Sequence, residues 1–568
     1  MAGLNLSAPA IVVLGPGSLA TARRVQACYP HASIHGLQGR VDDVDQSFES
    51  FGEHLRALYR QGTPILALCA AGIVIRSLAG VLGEKEAEPP VLALAEDGSA
   101  VVPLLGGLSG VNRMARELAA HLQVQAAITT SGELRFGTCL LNPPAGYVLA
   151  DLEQGKRFVS DLLAGERLRI EGQAPWLDAA QLPYSEQGQR TLHVGWQARP
   201  SSRDELSIHS RCVLVAIGAD TVDLTGQVRN ALHLAGVAEP ALACLLAADA
   251  QMADPALHAA ADALQVPLRF AAGADGLERW LASTLPEATR QRIGALQVVV
   301  APAPLSPERI GTRRGRLSVV GLGPGAAQLM VPAVKQALAV AQDVLGYETY
   351  VRMAGPFRDD QRLHCTDNRE ELQRAGHAFE LAAQGRSVVV VSSGDPGVFA
   401  MAAAVLEALH ASNEPSWHRV ELEILPGVSA SLATAAWAGA PLGHDFCVMS
   451  LSDNLKPWSI IETRLDLAAR ADLVLAFYNP ISKSRPHQLG RALEVVRRHR
   501  ACETPVVLGR DVGRPGATLK VVSLGQLTPE MVDMRTMVLV GSSTTCTFPR
   551  ADGSQWVYTP RWYPAPPE

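Results

Sequence analysis

A chain of 568 residues, 48% hydrophobic and 19% charged, can bury several cores, and at about 150 residues per domain it divides into three or four compact units. Fifty basic against 56 acidic residues leave a formal net charge of −6. No global field therefore draws the chain to nucleic acid, and an anionic ligand must be met by a local basic patch. The nine cysteines lie far apart with no Cys-x-x-Cys pair. That excludes a disulfide framework and a zinc ribbon, and predicts reduced thiols, no resident metal and a cytoplasmic location. Neither a signal peptide nor a membrane span is expected. Residues 1–9 lack a basic region before an apolar one, and the most apolar long stretch, 424–443, is broken by Pro426, Gly427, Gly439 and Pro441.

Along the chain, 10–14, 64–69 and 91–95 read as buried strands. An amphipathic stretch lies around 48–59, and the glycine-rich Gly106-Gly107-Leu108-Ser109-Gly110 runs into a helix over 111–122. Short apolar strands alternating with helical patterns predict a parallel α/β sheet. Residues 145–205 are more polar and lack strong periodicity. A second α/β block opens with a strand at 212–217, continues through a helix at 225–234 and reaches 267–270. Residues 302–316, with three prolines and a basic end, read as a linker. Strands follow at 317–321, 387–392, 421–425, 445–450, 472–478, 505–510 and 537–541, with helices in most of the gaps. That is enough chain for two small α/β lobes across a cleft.

Three of these strands end in Gly/Pro loops, where a parallel sheet binds its ligand. Gly321-Leu322-Gly323-Pro324-Gly325 sits where a dinucleotide fingerprint would, but Pro324 removes an N–H from the nest that would hold a pyrophosphate. An uncharged nucleoside held close to backbone, or a plain strand-to-helix turn, remains. Asp395 in Ser392-Ser393-Gly394-Asp395-Pro396-Gly397 precedes proline, so its carboxylate projects from the loop. It either binds a ribose or amine or caps a helix beginning near Val398. Pro426-Gly427-Val428-Ser429-Ala430-Ser431 repeats the arrangement. Arg497, Arg498, His499 and Arg500 are expected to end a helix and meet its carbonyls.

The order of these three loops, followed by Phe477-Tyr478-Asn479-Pro480, resembles the tetrapyrrole methylases. These are bilobal S-adenosyl-L-methionine enzymes of corrin and sirohaem synthesis. The likeness covers residues 317–563, with lobes of about 317–440 and 441–563. It implies an S-adenosyl-L-methionine cofactor touched by Pro324, Gly394, Asp395, Pro396, Ser429 and Ala430 from one lobe and by Asn479, Gly509 and Asp511 from the other. It also implies a polycarboxylate tetrapyrrole (precorrin) substrate, for which Lys483, Arg485 and Arg514 are the candidate partners, since arginine grips carboxylates bidentately. Ring contraction, which accompanies methylation in one branch of the family, asks for a general acid or base. His444, Asp445, Ser452 and Asp453 are the candidates, with alternating faces allowing only one of His444 and Asp445 into the cleft. A homodimer through this region and contacts with other corrin-pathway enzymes are further implications.

The N-terminal half resembles the cobalt-precorrin-5A hydrolases, through Ala71-Gly72-Ile73-Val74-Ile75-Arg76, Glu96-Asp97-Gly98, residues 102–107 and Val111-Asn112-Arg113-Met114-Ala115-Arg116. It divides into 1–145, a middle segment 146–209 and a second α/β domain 210–300, before the linker 301–316. Leu108 and Ser109 stand where that family carries a histidine. Gly218-Ala219-Asp220-Thr221 and Ala248-Asp249-Ala250-Gln251-Met252 replace its basic turn and its lysine-bearing stretch. The expectation is a partner domain that no longer hydrolyses.

Overall fold

The computed structural model describes residues 8–29, 31–83, 87–200, 202–218, 223–271, 276–358, 360–366, 370–482 and 484–563. The departures at 219–221 lie outside these. The chain forms two compact units, Met1–Arg314 and Gly315–Glu568.

The N-terminal unit holds three sheets. The first runs Gln46–Phe48, Ser33–Leu37, Ala10–Val13, Ile65–Leu68, Val91–Leu94, Val101–Leu105. It is parallel except for the last strand, which pairs antiparallel at the edge. Its apolar strands are wholly buried, as a sheet covered on both faces requires. The helix at 111–122 forms over the expected residues.

The segment that lacked periodicity is a sheet of four short strands, Tyr147–Leu149, Glu205–Ser210, Arg190–Gly195 and Leu168–Glu171. Phe136, Phe158, Leu168, Leu192 and Leu206 fill its core. Its glycines are structural: at Gly172, φ +101°, a Cβ would lie 1.9 Å from the Val194 carbonyl oxygen, a close approach open to glycine alone. The third sheet runs Leu268–Ala271, Leu242–Ala248, Val213–Ile217, Leu296–Val300, Thr289–Ile293.

Residues 302–314 are not a free tether. Ile310 is buried, Leu305 packs on the core of that sheet, and Thr312 exchanges two backbone hydrogen bonds with Phe270 at its edge.

In the first sheet His35 is buried, its Nδ1 2.7 Å from Nε2 of His54 and its Nε2 2.7 Å from the Ser33 hydroxyl. Burial, and then the neighbouring His54, push its pKa from 6.5 down to about 4. Between those values the unfolded chain takes up a proton that the folded chain refuses, so stability falls as pH drops from about 6.5 towards 4. The loss reaches up to about 3 kcal/mol. His35→Gln should flatten this slope in thermal midpoints taken between pH 7 and 4.5; an unchanged slope would assign it to other groups.

The C-terminal unit has two lobes. The first is a five-stranded parallel sheet of β1 (Arg316–Gly321), β2 (Asp343–Tyr347), β3 (Arg362–Thr366), β4 (Ser387–Ser392) and β5 (Glu421–Leu425), in the order β3-β2-β4-β1-β5. The second contains β6 (Phe446–Ser450), β7 (Val474–Tyr478), β8 (Pro505–Arg510), β9 (Thr518–Ser523) and β10 (Thr536–Val540), in the order β6-β7-β10-β8-β9. β6 and β7 are parallel, while β10 is antiparallel to both β7 and β8. The carboxyl ends of β6, β7 and β8 therefore share one edge of this sheet. A small sheet of Gly439–Ala440, Gln555–Tyr558 and Cys546–Pro549 completes the lobe.

Candidate active site

β4, β1 and β5 are neighbours, so the loops leaving their carboxyl ends lie side by side. Gly323 and Gly394, both at positive φ, exchange two backbone hydrogen bonds of 3.1 and 2.8 Å. Gly427 completes the meeting: a Cβ there would lie 2.2 Å from the Gly394 oxygen and 2.7 Å from the Gly321 oxygen. Asp395 ties the group together, one carboxylate oxygen accepting the Gly397 N–H at 2.8 Å and the other the Gly427 N–H at 3.0 Å. Its carboxylate clamps these loops together; of its two expected roles capping is not seen, since the next helix begins later, at Met401–Ala411. At Gly394 a Cβ would point at Ser429 Cα, 3.7 Å away, and the Ala430 nitrogen, 3.9 Å away. The absent side chain leaves that space open. Ser429 caps Ala430–Ala438, accepting from the Leu432 N–H. Pro324, Gly394, Asp395, Pro396, Ser429 and Ala430 are thus gathered at one edge of the first sheet.

The second lobe meets this edge with its own carboxyl ends. The Tyr478 hydroxyl, at the end of β7, lies 3.1 Å from both the Ser431 N–H and the Ser431 hydroxyl. Its ring packs 5.5 Å from that of Phe399. Asn479 adopts φ +49°, a left-handed conformation that asparagine tolerates, and its amide donates to Ser450 Oγ at the end of β6. Gly509, in β8, packs against buried Thr434, where a Cβ would lie 2.5 Å from the Thr434 methyl.

Asp511 is buried and held by Arg510 at 3.0 Å and Arg535 at 3.3 Å. Its carboxylate is committed to these cations. Arg514 donates from Nε to the Pro324 carbonyl at 3.1 Å and from Nη2 to Ser393 Oγ at 3.4 Å. It joins the lobes instead of standing free for a substrate.

The four acid–base candidates separate. Ser452 and Asp453 follow the carboxyl end of β6, both half-buried, with Asp453 accepting from the Gln488 amide at 3.1 Å. His444 and Asp445 precede β6 and lie at the opposite edge. There the His444 ring meets that of Tyr563 at 5.1 Å and its Nδ1 accepts the Asp445 N–H. Strand direction rules the pair out of this cluster of loops. Arg485 closes a tight turn with Ser482, and its Nε and Nη1 are buried without a hydrogen-bond partner among the described residues. Lys483 lies outside the described residues. The sequence assigns no role to Tyr478, Ser431, Ser450 or Phe399; Tyr478 and Ser431 carried a signal, each lying inside one of the motifs, Phe477-Tyr478-Asn479-Pro480 and Pro426-Gly427-Val428-Ser429-Ala430-Ser431.

A family model described as Tetrapyrrole (Corrin/Porphyrin) Methylases matches residues 316–528. Over 249 residues the chain is 51% identical to a Sinorhizobium protein named Precorrin-3B C(17)-methyltransferase, covering 44% of this chain and 97% of that one. The chain belongs to the tetrapyrrole methylases. A second relative, Cobalamin biosynthesis protein CobIJ of Mycobacterium tuberculosis, is 48% identical over 254 residues, and the match spans 49% of its length and 44% of this chain. A solved structure described as the methyltransferase CobJ is 55% identical, covering 43% of this chain and 100% of that one at a TM-score of 0.41. In the N-terminal unit a family model described as Cobalamin synthesis G N-terminal matches residues 53–133. As a tetrapyrrole methylase the protein is a methyltransferase with an α/β fold, as its loop order implied. Among the described residues no helix is long and apolar enough to cross a membrane, and no group of three or more His, Cys, Asp and Glu is placed to hold a metal.

Proposed function

We propose that the chain is the S-adenosyl-L-methionine-dependent methyltransferase of cobalamin biosynthesis that methylates precorrin-3B at carbon 17, with ring contraction to precorrin-4. The observation that carries this reading is the 51% identity along 97% of a relative bearing that activity's name. Relatives named for cobalt-factor III are 40% and 37% identical, which makes that compound the second substrate to test. A cytoplasmic homodimer working beside other corrin-pathway enzymes belongs to the same reading.

The loops at Gly323, Gly394 and Ser429–Ala430, brought together at the carboxyl ends of β1, β4 and β5, are where a nucleoside would lie against backbone. When bound, S-adenosyl-L-methionine supplies a methyl group on a positively charged sulfur, which is already activated. The protein's part is then orientation and closeness more than base strength. Tyr478, by holding Ser431, fixes the start of the helix Ala430–Ala438 against the end of β7. Asp453, oriented by Gln488, is the general acid or base for ring contraction, with Ser452 beside it. The N-terminal unit, lacking a histidine at Leu108–Ser109, acts as a partner domain without hydrolysis.

Arg485 gives the substrate side its strongest support. Buried guanidinium nitrogens without an acceptor, as Nε and Nη1 of half-buried Arg485 are, are costly unless a carboxylate arrives. Arg485→Ala should raise KM for the tetrapyrrole by the equivalent of roughly 1.5–3 kcal/mol while leaving cofactor affinity alone; steady-state kinetics in both substrates decide this. The reaction itself is tested by incubating the full chain with precorrin-3B and methyl-labelled cofactor and weighing the product. A ring-contracted product one methyl heavier is expected. Conversion of cobalt-factor III instead selects the second substrate, and conversion of neither overturns the reading.

A further inference from the structure

β6 is the edge strand of the second-lobe sheet, and a cavity of about 500 Å³ lies beside it. Its lining includes Phe399, Met449, Ser450, Lys456, Arg464 and Leu467, an apolar surface carrying two cations. Among the described residues no carboxylate pairs with either cation. Lys456 instead stands over the Phe399 ring, its Nζ 5.8 Å from the centroid. Burial, and then the charge of Arg464, lower the Lys456 pKa.

Phe399 supplies a second observation. It adopts φ +54°, an outlier for a bulky side chain, and the residue stays 52% exposed at the cavity wall. Strain of this kind persists where the surroundings impose it, and it clusters at ligand clamps. The cavity also adjoins the active site. Phe399 lies four residues beyond Asp395 in the sequence and packs on Tyr478, and the Ser450 wall accepts the Asn479 amide. Two unpaired cations on an apolar wall match a flat, largely apolar ring with ionised side chains on its rim better than they match a simple anion. Ligand sites of this size are ordinary.

We propose that this cavity receives one acidic edge of the tetrapyrrole macrocycle, its peripheral carboxylates pairing with Lys456 and Arg464 while Phe399 and Met449 face the ring. The proposal rests on the substrate reading above and assigns two residues to substrate binding. Neither residue belongs to the three glycine loops, so their loss should act on the substrate and not on the cofactor.

The test is steady-state kinetics of the full chain and of Lys456→Gln/Arg464→Gln, with precorrin-3B varied at saturating cofactor and the reverse. A second arm uses uroporphyrin III as a fluorescent octacarboxylate probe of binding. The double variant should raise the tetrapyrrole KM and the uroporphyrin Kd about 10- to 100-fold, the range of one or two lost charge-assisted hydrogen bonds. Cofactor KM and thermal midpoint should stay as in the wild type. Lys456→Arg should restore most of the affinity, and Leu467→Glu, which puts a carboxylate at the cavity mouth, should weaken binding as the double variant does. Wild-type turnover with an unmoved tetrapyrrole KM in the double variant overturns the cavity assignment alone. Wild-type protein that binds S-adenosyl-L-methionine but turns over no tetrapyrrole overturns the functional reading and this assignment with it.

Discussion

Gly427→Ala is expected to cost about 100-fold or more in cofactor affinity. The added Cβ would lie 2.2 Å from the Gly394 carbonyl oxygen and 2.7 Å from that of Gly321. Both neighbours are backbone, so neither can swing aside as a flexible side chain would. The three loops must part, and the Asp395 clamp on the Gly427 N–H lengthens with them. Overpacking typically costs about 1–3 kcal/mol and more where backbone must move, which at the upper end is roughly two powers of ten in binding. Calorimetric titration of the full chain with S-adenosyl-L-methionine measures it. Gly490→Ala is the control: Gly490 lies inside the helix Gln488–Arg497, and a Cβ there meets nothing nearer than 3.8 Å. It should bind normally and gain a little helix stability. Normal cofactor binding by Gly427→Ala would remove the three-loop meeting from the site.

Arg500→Met should lower the stability of the C-terminal unit by about 3–5 kcal/mol, the usual result of removing one partner of a buried ion pair. Arg500 is buried. It pairs with Asp472 at 2.8 Å and donates to the carbonyls of Ala469, Leu473 and Gly541. Burial lowers its pKa, against the opposing pull of Asp472. One guanidinium therefore satisfies acceptors from the end of one helix, the start of β7 and the end of β10, and methionine fills the volume while satisfying none. Calorimetric melting of the full chain should show one transition falling by about 6–20 °C. The transition belongs to this unit if S-adenosyl-L-methionine raises it in the wild type. A fall of less than about 2 °C would mean that water replaces the lost donors at little cost.

What the sequence disclosed divides along physical lines. Ser387–Ser392, Glu421–Leu425 and Pro505–Arg510 form over the expected residues; turn residues bounded all three, and apolar runs marked the first and last. Arg362–Thr366 and Thr518–Ser523 escaped notice because both are edge strands with much of their length exposed, where nothing compels an apolar pattern. The meeting of the three loops was readable through their glycines, since a close backbone approach leaves little choice of residue. Side-chain roles were less so. Arg514 and Asp511 looked available, yet the partners of Arg514 are 121 and 190 positions away. His444 stood correctly beside a strand, but which end of that strand faces the cleft follows from topology that local pattern does not carry. The arginines at 497 and 500 do meet carbonyls, though those of other elements and not of their own helix.

The bond from Arg514 to the Pro324 carbonyl closes a loop of 190 residues, and its position bears on how the protein is made. A ribosome releases the first lobe, with its parallel sheet and all three glycine loops, well before residue 514 leaves the exit tunnel. During that interval the three glycine loops stand without Tyr478 or the loop 513–514 against them. A ligand that needs both lobes therefore cannot hold the nascent first lobe folded as it would hold the finished unit. The half-made chain must rely on its own sheet, and a chaperone that covers apolar surface has its opening then. Long-range closure of this kind is also slow relative to local structure. Protection by the cofactor should consequently arrive as a single late event, when the last strands dock.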